Sequence, residues 1–314
     1  MTIKPPALKP GDQVALFSIS SPIPSEAHLA RMIDCLESFG LQVITFPSTI
    51  ARYGYLAGAD DLRLENMNRA IASPEIRAIF FAWGGSGANH LLPHIDYAVF
   101  QRTPKIVVGL SDPSCVLNAL TARTGVITFH GPTGVNFAAE EGLPAYTRES
   151  FVQNLFAEGV FVGEVPSYSP WEILKLGQAK GPLFGGHLTT IQTLLGTPYA
   201  PNWDGCIFFW EEIGKTPRAI DKTLSHFKLA GVLERIAGMV VGRPLDCADP
   251  DHDAEMDIRR MVIEICREYD FPILFNVDLG HADPKLTLPI GALAELQLQN
   301  NQPAFTLLES GVTR

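Results

Sequence analysis

Apolar residues in the first half of the chain fall into two kinds of run. Short blocks rich in β-branched and aromatic residues read as buried strands, and longer stretches with a period near 3.6 read as helices packed on them. Gln13-Val-Ala-Leu-Phe-Ser-Ile-Ser20 predicts a strand, residues 25–39 a capped amphipathic helix closed by Gly40, and Leu41-Gln-Val-Ile-Thr-Phe46 a second strand. Residues 60–72 predict a helix with Asp60, Asp61, Arg63 and Glu65 on its exposed face. Residues 76–83, 106–110 and 126–129 supply three more strands. This βαβα order implies a mostly parallel sheet with helices on both faces. Ligands of such sheets bind beyond the carboxyl ends of the strands. The loops there, after the third and fourth strands, carry Gly84-Gly-Ser-Gly87 and Ser111.

Between about residues 142 and 181 the pattern is broken by Pro144, Pro166 and Pro170, which reads as a linker. Beyond it residues 186–195 look helical, Cys206-Ile-Phe-Phe-Trp210 is a strand, and residues 217–230 form a helix. A strand at 236–242, a helix at 253–269 and short strands at 272–276, 286–290 and 294–298 complete a smaller α/β sheet or barrel. The expected organisation is an N-terminal domain over 1–145, a linker over 146–180 and a C-terminal domain over 181–314.

Composition narrows the function classes. An apolar share of 46% with 18% charged residues describes a folded globular chain, and a net charge of −10 without a basic block argues against nucleic acid or an anionic membrane as partner. No signal-peptide core or membrane-spanning run is visible, and the five cysteines lack metal-ligand spacing, so a reducing, cytoplasmic setting is expected.

Ser111 stands where the run Lys105-Ile-Val-Val-Gly-Leu110 turns into the helix opened by Pro113. A hydroxyl there projects from the sheet edge beside the free N–H groups of a helix start, which suits an acyl-transfer nucleophile and equally suits an N-cap. The Gly84–Gly87 run lacks dinucleotide or P-loop spacing, so its use is close backbone approach, including an oxyanion N–H. Asp249-Pro-Asp-His-Asp-Ala-Glu255 has acidic metal-loop character, but reads as a helix entry. His130 and His187 lie beside glycines and could line a cleft, while His281 sits in a turn flanked by Asp278 and Asp283. Glu211 and Glu212 end a very apolar strand, where a desolvated carboxylate can orient an imidazole. Neighbouring strand residues face opposite sides, so only one of the two is expected to do so.

Taken in order, Lys9-Pro-Gly-Asp12, Gly54-Tyr-Leu-Ala-Gly58, Trp83-Gly-Gly-Ser-Gly87, Gly109-Leu-Ser-Asp112, Phe129-His-Gly-Pro132, Gly185-Gly-His-Leu188, Phe209-Trp-Glu-Glu212 and Gly280-His281 resemble the LD-carboxypeptidase family of serine peptidases. That family includes murein tetrapeptide carboxypeptidases and microcin C self-immunity peptidases. The resemblance implies an α/β protein with an N-terminal flavodoxin-like sheet domain and a smaller C-terminal α/β domain of swivelling, barrel-like form. It implies Ser111 as nucleophile, His281 as general base and Glu211 as its orienting carboxylate, with Gly85 and Asp112 giving the oxyanion N–H groups. Neither metal nor cofactor is called for, and a homodimer is expected.

Departures from the family pattern concern substrate. Murein-directed members commonly carry Arg-Gly-Gly-Tyr-Gly and an Arg before Leu-Leu-Pro, where this chain has Trp83-Gly-Gly-Ser86-Gly and His90. His187 replaces a frequent Asn. Ser86, His90 and His187 are therefore the expected substrate contacts. The substrate implied is a small peptide or, on the microcin-immunity pattern, a peptidyl- or aminoacyl-nucleotide amide. A non-catalytic small-ligand binding protein would keep the sheet and glycine loop but have no use for the three joined residues. A lipase-like esterase would want a lipophilic lid, which is not visible.

Overall fold

The computed structural model describes residues 2–156, 163–164, 167–248, 257–299 and 302–313. The first sheet is built from β1 (Gln13–Phe17), β2 (Gln42–Thr45), β3 (Ile76–Phe81), β4 (Ile106–Gly109) and β5 (Thr128–His130). All five run parallel, in the order β2-β1-β3-β4-β5. That order reverses between β1 and β3, which opens a crevice at their carboxyl ends. Apart from Gln13 and Arg77 at their amino ends, the interior strands are apolar, because both faces are covered.

The covering helices are α1 (Glu26–Glu37), α2 (Asp60–Ala72), α3 (Tyr97–Arg102), α4 (Ser114–Thr124), the short α5 (Gly134–Phe137) and α6 (Ala145–Leu155). Ser25 caps α1 by accepting the His28 N–H, and Met32 and Leu36 face the sheet. Arg63, expected on the exposed face of α2, is instead fully buried, because it finds carbonyl partners beneath the helix. Helix α6 occupies the start of the segment that reads as a linker, and packs Phe151 against Phe80 of the first sheet and Phe137 of α5.

A second sheet contains β6 (Gly163–Glu164), β7 (Glu172–Lys175), β8 (Gly177–His187), β9 (Ile207–Glu211), β10 (Gly238–Gly242) and β11 (Ile273–Val277). Strands β8 to β11 are parallel, with β7 antiparallel beside β11. The eleven-residue β8 runs through Gly186 and His187, so the expected helix at 186–195 shrinks to α7 (Leu188–Ile191) and one 3-10 turn. Five glycines and prolines in β8 hide its periodicity, and pairing on both edges overrides their weak strand preference. Helix α8 (Pro217–Leu229) packs against α9 (Ile258–Ile265), which Asp257 caps. The acidic run 249–255 lies outside the described residues.

The chain then crosses back. Strand β12 (Leu288–Ile290) joins the first sheet, antiparallel to β5, before β13 (Leu293–Gln299) and β14 (Gln302–Leu307) complete the second. The eight-stranded order is β6-β14-β13-β8-β9-β10-β11-β7. Strand β14, not evident in the sequence, closes a hairpin on β13. One apolar cluster runs continuously from the first sheet into the second. The fold is thus the expected α/β pairing of a parallel sheet with a barrel-like one.

Candidate active site

Strand β4 ends at Gly109, and Ser111 follows with φ +67°, in the left-handed region. A side chain there costs roughly 1–2 kcal/mol, so the surroundings must impose the conformation. The N-cap of α4 is Pro113, with no side-chain bond, and the Ser111 carbonyl accepts the Ser114 N–H at 2.9 Å. The capping role open to Ser111 in the sequence is therefore not taken up. Gly84 lies directly over it: a Cβ at that position would stand 2.9 Å from the Ser111 Cβ.

Glu211 terminates β9 in full burial. Its Oε2 accepts the backbone N–H of His281 at 3.1 Å and meets the His281 Nδ1 at 2.8 Å. A carboxylate only accepts, so Nδ1 carries the proton and Nε2 is left as a base. Gly280 makes the approach possible: its φ is +93°, and a Cβ would run into the Glu211 carboxylate. Burial alone would raise the Glu211 carboxyl, but the charge and hydrogen bond of His281, helped by His187 and His130, outweigh it and hold it at about 2.

Both adjacent carboxylates hold an imidazole, against the expectation that only one can. Glu212 lies just past the last paired residue of β9 and so escapes strand alternation. Its Oε1 stands 2.7 Å from His187 Nε2, and its Oε2 accepts the Thr189 N–H at 3.1 Å. His187 Nδ1 meets the Thr190 hydroxyl at 2.8 Å. Burial pulls the His187 imidazole down, but contact with Glu212 and the charge of Glu211 raise it overall. The His187 and His281 rings are 5.5 Å apart, edge to face.

These residues of the second sheet are tied to the helix that follows Ser111. The His187 N–H donates to the Ser114 hydroxyl at 3.2 Å, and the Asn118 side-chain amide exchanges two hydrogen bonds with the Gly185 backbone. Beneath them lies His130, fully buried against Phe209 with neither ring nitrogen hydrogen-bonded among the described residues. Burial pushes its imidazole down to about 4, so it is neutral. Its flanking glycine and apolar strand hinted at a cleft; the sequence carried no sign of a buried neutral ring. On the far side, Gly85 and Ser86 lie exposed on the loop after β3. His90 is drawn to Asp60, at 3.2 Å, rather than to the histidine pair.

Residues 14–131 match the LD-carboxypeptidase N-terminal domain, and residues 180–296 match the LD-carboxypeptidase C-terminal domain. The chain belongs to the LD-carboxypeptidase family. It is 31% identical to a probable murein peptide carboxypeptidase of Bacillus subtilis, over 100% of this chain and 96% of that protein. It is 26% identical to the microcin C7 self-immunity protein MccF of Escherichia coli, over 94% and 93% of the two chains. Among solved structures, MccF in complex with aspartyl sulfamoyl adenosine superposes with a TM-score of 0.90 at 25% identity, covering 99% of this chain and 100% of that one. Muramoyltetrapeptide carboxypeptidase from Oxalobacter formigenes gives 0.84 at 25% identity, covering 96% and 100%. This LD-carboxypeptidase relative thus carries the fold of both branches along its length. No described helix is long and apolar enough to cross a membrane.

Proposed function

We propose that this protein is a serine peptidase that cleaves an amide bond in a small peptide, by way of an acyl-enzyme on Ser111. The observation that carries the reading is the His281 imidazole, held through Nδ1 by the buried carboxylate of Glu211 at 2.8 Å. His281 Nε2 takes the Ser111 proton as Oγ attacks the carbonyl carbon. The N–H groups of Gly85 and Asp112 receive the oxyanion. The imidazolium, steadied by Glu211, then protonates the departing amine, and water repeats the sequence to release the acid. The binding-protein alternative leaves unexplained both a serine held in the left-handed region and a carboxylate-oriented imidazole.

The first substrate class is a murein tetrapeptide, after the relatives named for that activity. A second is an aminoacyl- or peptidyl-nucleotide amide, favoured by the close superposition on a relative holding aspartyl sulfamoyl adenosine and by Trp83 and His90 at positions where murein-directed members commonly carry Arg. Purified wild type and Ser111→Ala are incubated with each compound and the products weighed by mass spectrometry. Wild type should cleave one of them, and Ser111→Ala should lose at least about 10³-fold in rate while keeping its fold. Undiminished turnover by that variant would remove Ser111 from the mechanism.

A further inference from the structure

The deepest charged side chain of the first sheet's helices lies outside the site just described. Arg63 projects from the first turn of α2 and is fully buried. Its Nη1 donates to the carbonyl of Ile19 and, at 3.0 Å, to the carbonyl of Gly87. Its Nη2 pairs with Asp60, which also meets His90 at the surface. The next group along, the Ala88 N–H, donates to Asp112 Oδ2 at 2.8 Å.

The Gly87 carbonyl and the Ala88 N–H belong to one peptide unit. Both of its polar atoms are therefore gripped by charged side chains, a cation from α2 on the oxygen and an anion from the residue after Ser111 on the nitrogen. Charge-assisted bonds of this kind are the strong ones, and two from opposite directions fix the plane as well as the position. The preceding loop needs such an anchor. Gly84, Gly85 and Ser86 bring almost no side chain to pack, and Gly85 and Ser86 are exposed, so the loop's shape rests on its two ends. At the other end Gly84 O accepts the Ser21 N–H at 2.9 Å.

We propose that Arg63 and Asp112 are positioning residues whose joint grip on the 87–88 peptide holds the glycine loop against Ser111 and aims the Gly85 N–H at the oxyanion. This rests on the reading of Ser111 as nucleophile. The Asp112 carboxylate couples the two halves of the oxyanion hole: the residue that gives one donor through its own backbone fixes the loop that gives the other. Gly84, in contact with Ser111, transmits any slip of the loop straight to the nucleophile.

The test compares Asp112→Ala, which removes the acceptor of the Ala88 N–H, with Asp112→Asn, which keeps an oxygen there. Arg63→Met and Arg63→Lys form a second pair for the other end, should the first pair disturb α4. Amide hydrogen exchange over residues 84–92 reads the loop without any substrate. Exchange should quicken about tenfold or more in Asp112→Ala and recover in Asp112→Asn. With whichever of murein tetrapeptide or aspartyl sulfamoyl adenosine the wild type cleaves, kcat should fall roughly 10- to 100-fold in Asp112→Ala with KM within about threefold, and Asp112→Asn should regain most of the loss. Unchanged exchange in both alanine and methionine variants overturns the clamp. So does a loss carried by KM alone. Ser111→Ala separates the two ideas, because it should abolish turnover and leave exchange over 84–92 as in wild type. If it still turns over substrate, the nucleophile reading fails by itself.

Discussion

His130 gives a prediction that needs no substrate. Its ring is fully buried on β5, and burial lowers the imidazole from the usual 6.5 to about 4. Glu211 pulls the other way, while His281, His187 and Lys285 add to the lowering. As pH drops below 6.5 the unfolded chain takes up a proton at this position, and the folded chain does not until about pH 4. The unfolded state binds more protons in that window, so stability falls with falling pH. At pH 4.5 this difference amounts to roughly 2–3 kcal/mol. Replacing His130 with Leu, of similar volume and no charge, removes this share and leaves a constant packing offset. Urea unfolding of both proteins at pH 7.5 and pH 4.5 isolates it as a double difference. Wild type should lose roughly 2–3 kcal/mol more than His130→Leu between the two pH values. Equal losses would mean that His130 protonates in place, and the account of a neutral ring under the histidine pair would be wrong.

Other expectations follow from the same geometry. Ser111→Gly should be more stable than Ser111→Ala by about 1 kcal/mol in urea, since glycine takes the left-handed conformation freely, while neither turns over substrate. Gly280→Ala combines a positive φ with a clash against the Glu211 carboxylate, and should lose about 2–4 kcal/mol by thermal or urea unfolding. Retention of full stability there would mean that the loop has another way to reach Glu211. Glu211→Gln presents an N–H₂ or a neutral oxygen to His281 Nδ1, so kcat should fall about 10³- to 10⁴-fold with KM little changed, measured on the substrate the wild type cleaves.

What could be read in the sequence follows from which forces are local. The parallel sheet is legible because β4 is a short apolar run, β3 is one but for Arg77, and α1 carries its own cap. Strand β8 was not legible, since its glycines and prolines are tolerated only by neighbours far away in sequence. Ser111 was visible as a serine at a corner, but its left-handed backbone depends on Gly84 and on the turn into α4. The Glu211–His281 contact spans seventy residues and was suggested by motif likeness, not by any local pattern. The burial of Arg63 escapes the sequence pattern for a related reason: helical periodicity places a residue on a face, but not the two carbonyls that accept from it there.

Strand β12 belongs to the first sheet although it follows β11 of the second, and the stretch between them, ten residues from 278 to 287, carries His281. His281 is thus mounted on the tether between the two sheets, while Ser111 follows a strand of the first and Glu211 ends a strand of the second. A slide of one sheet past the other would therefore pull on the imidazole through the chain itself. Cutting the gene between the sheets would take from the first its edge strand β12 and leave the His281 loop anchored at one end only.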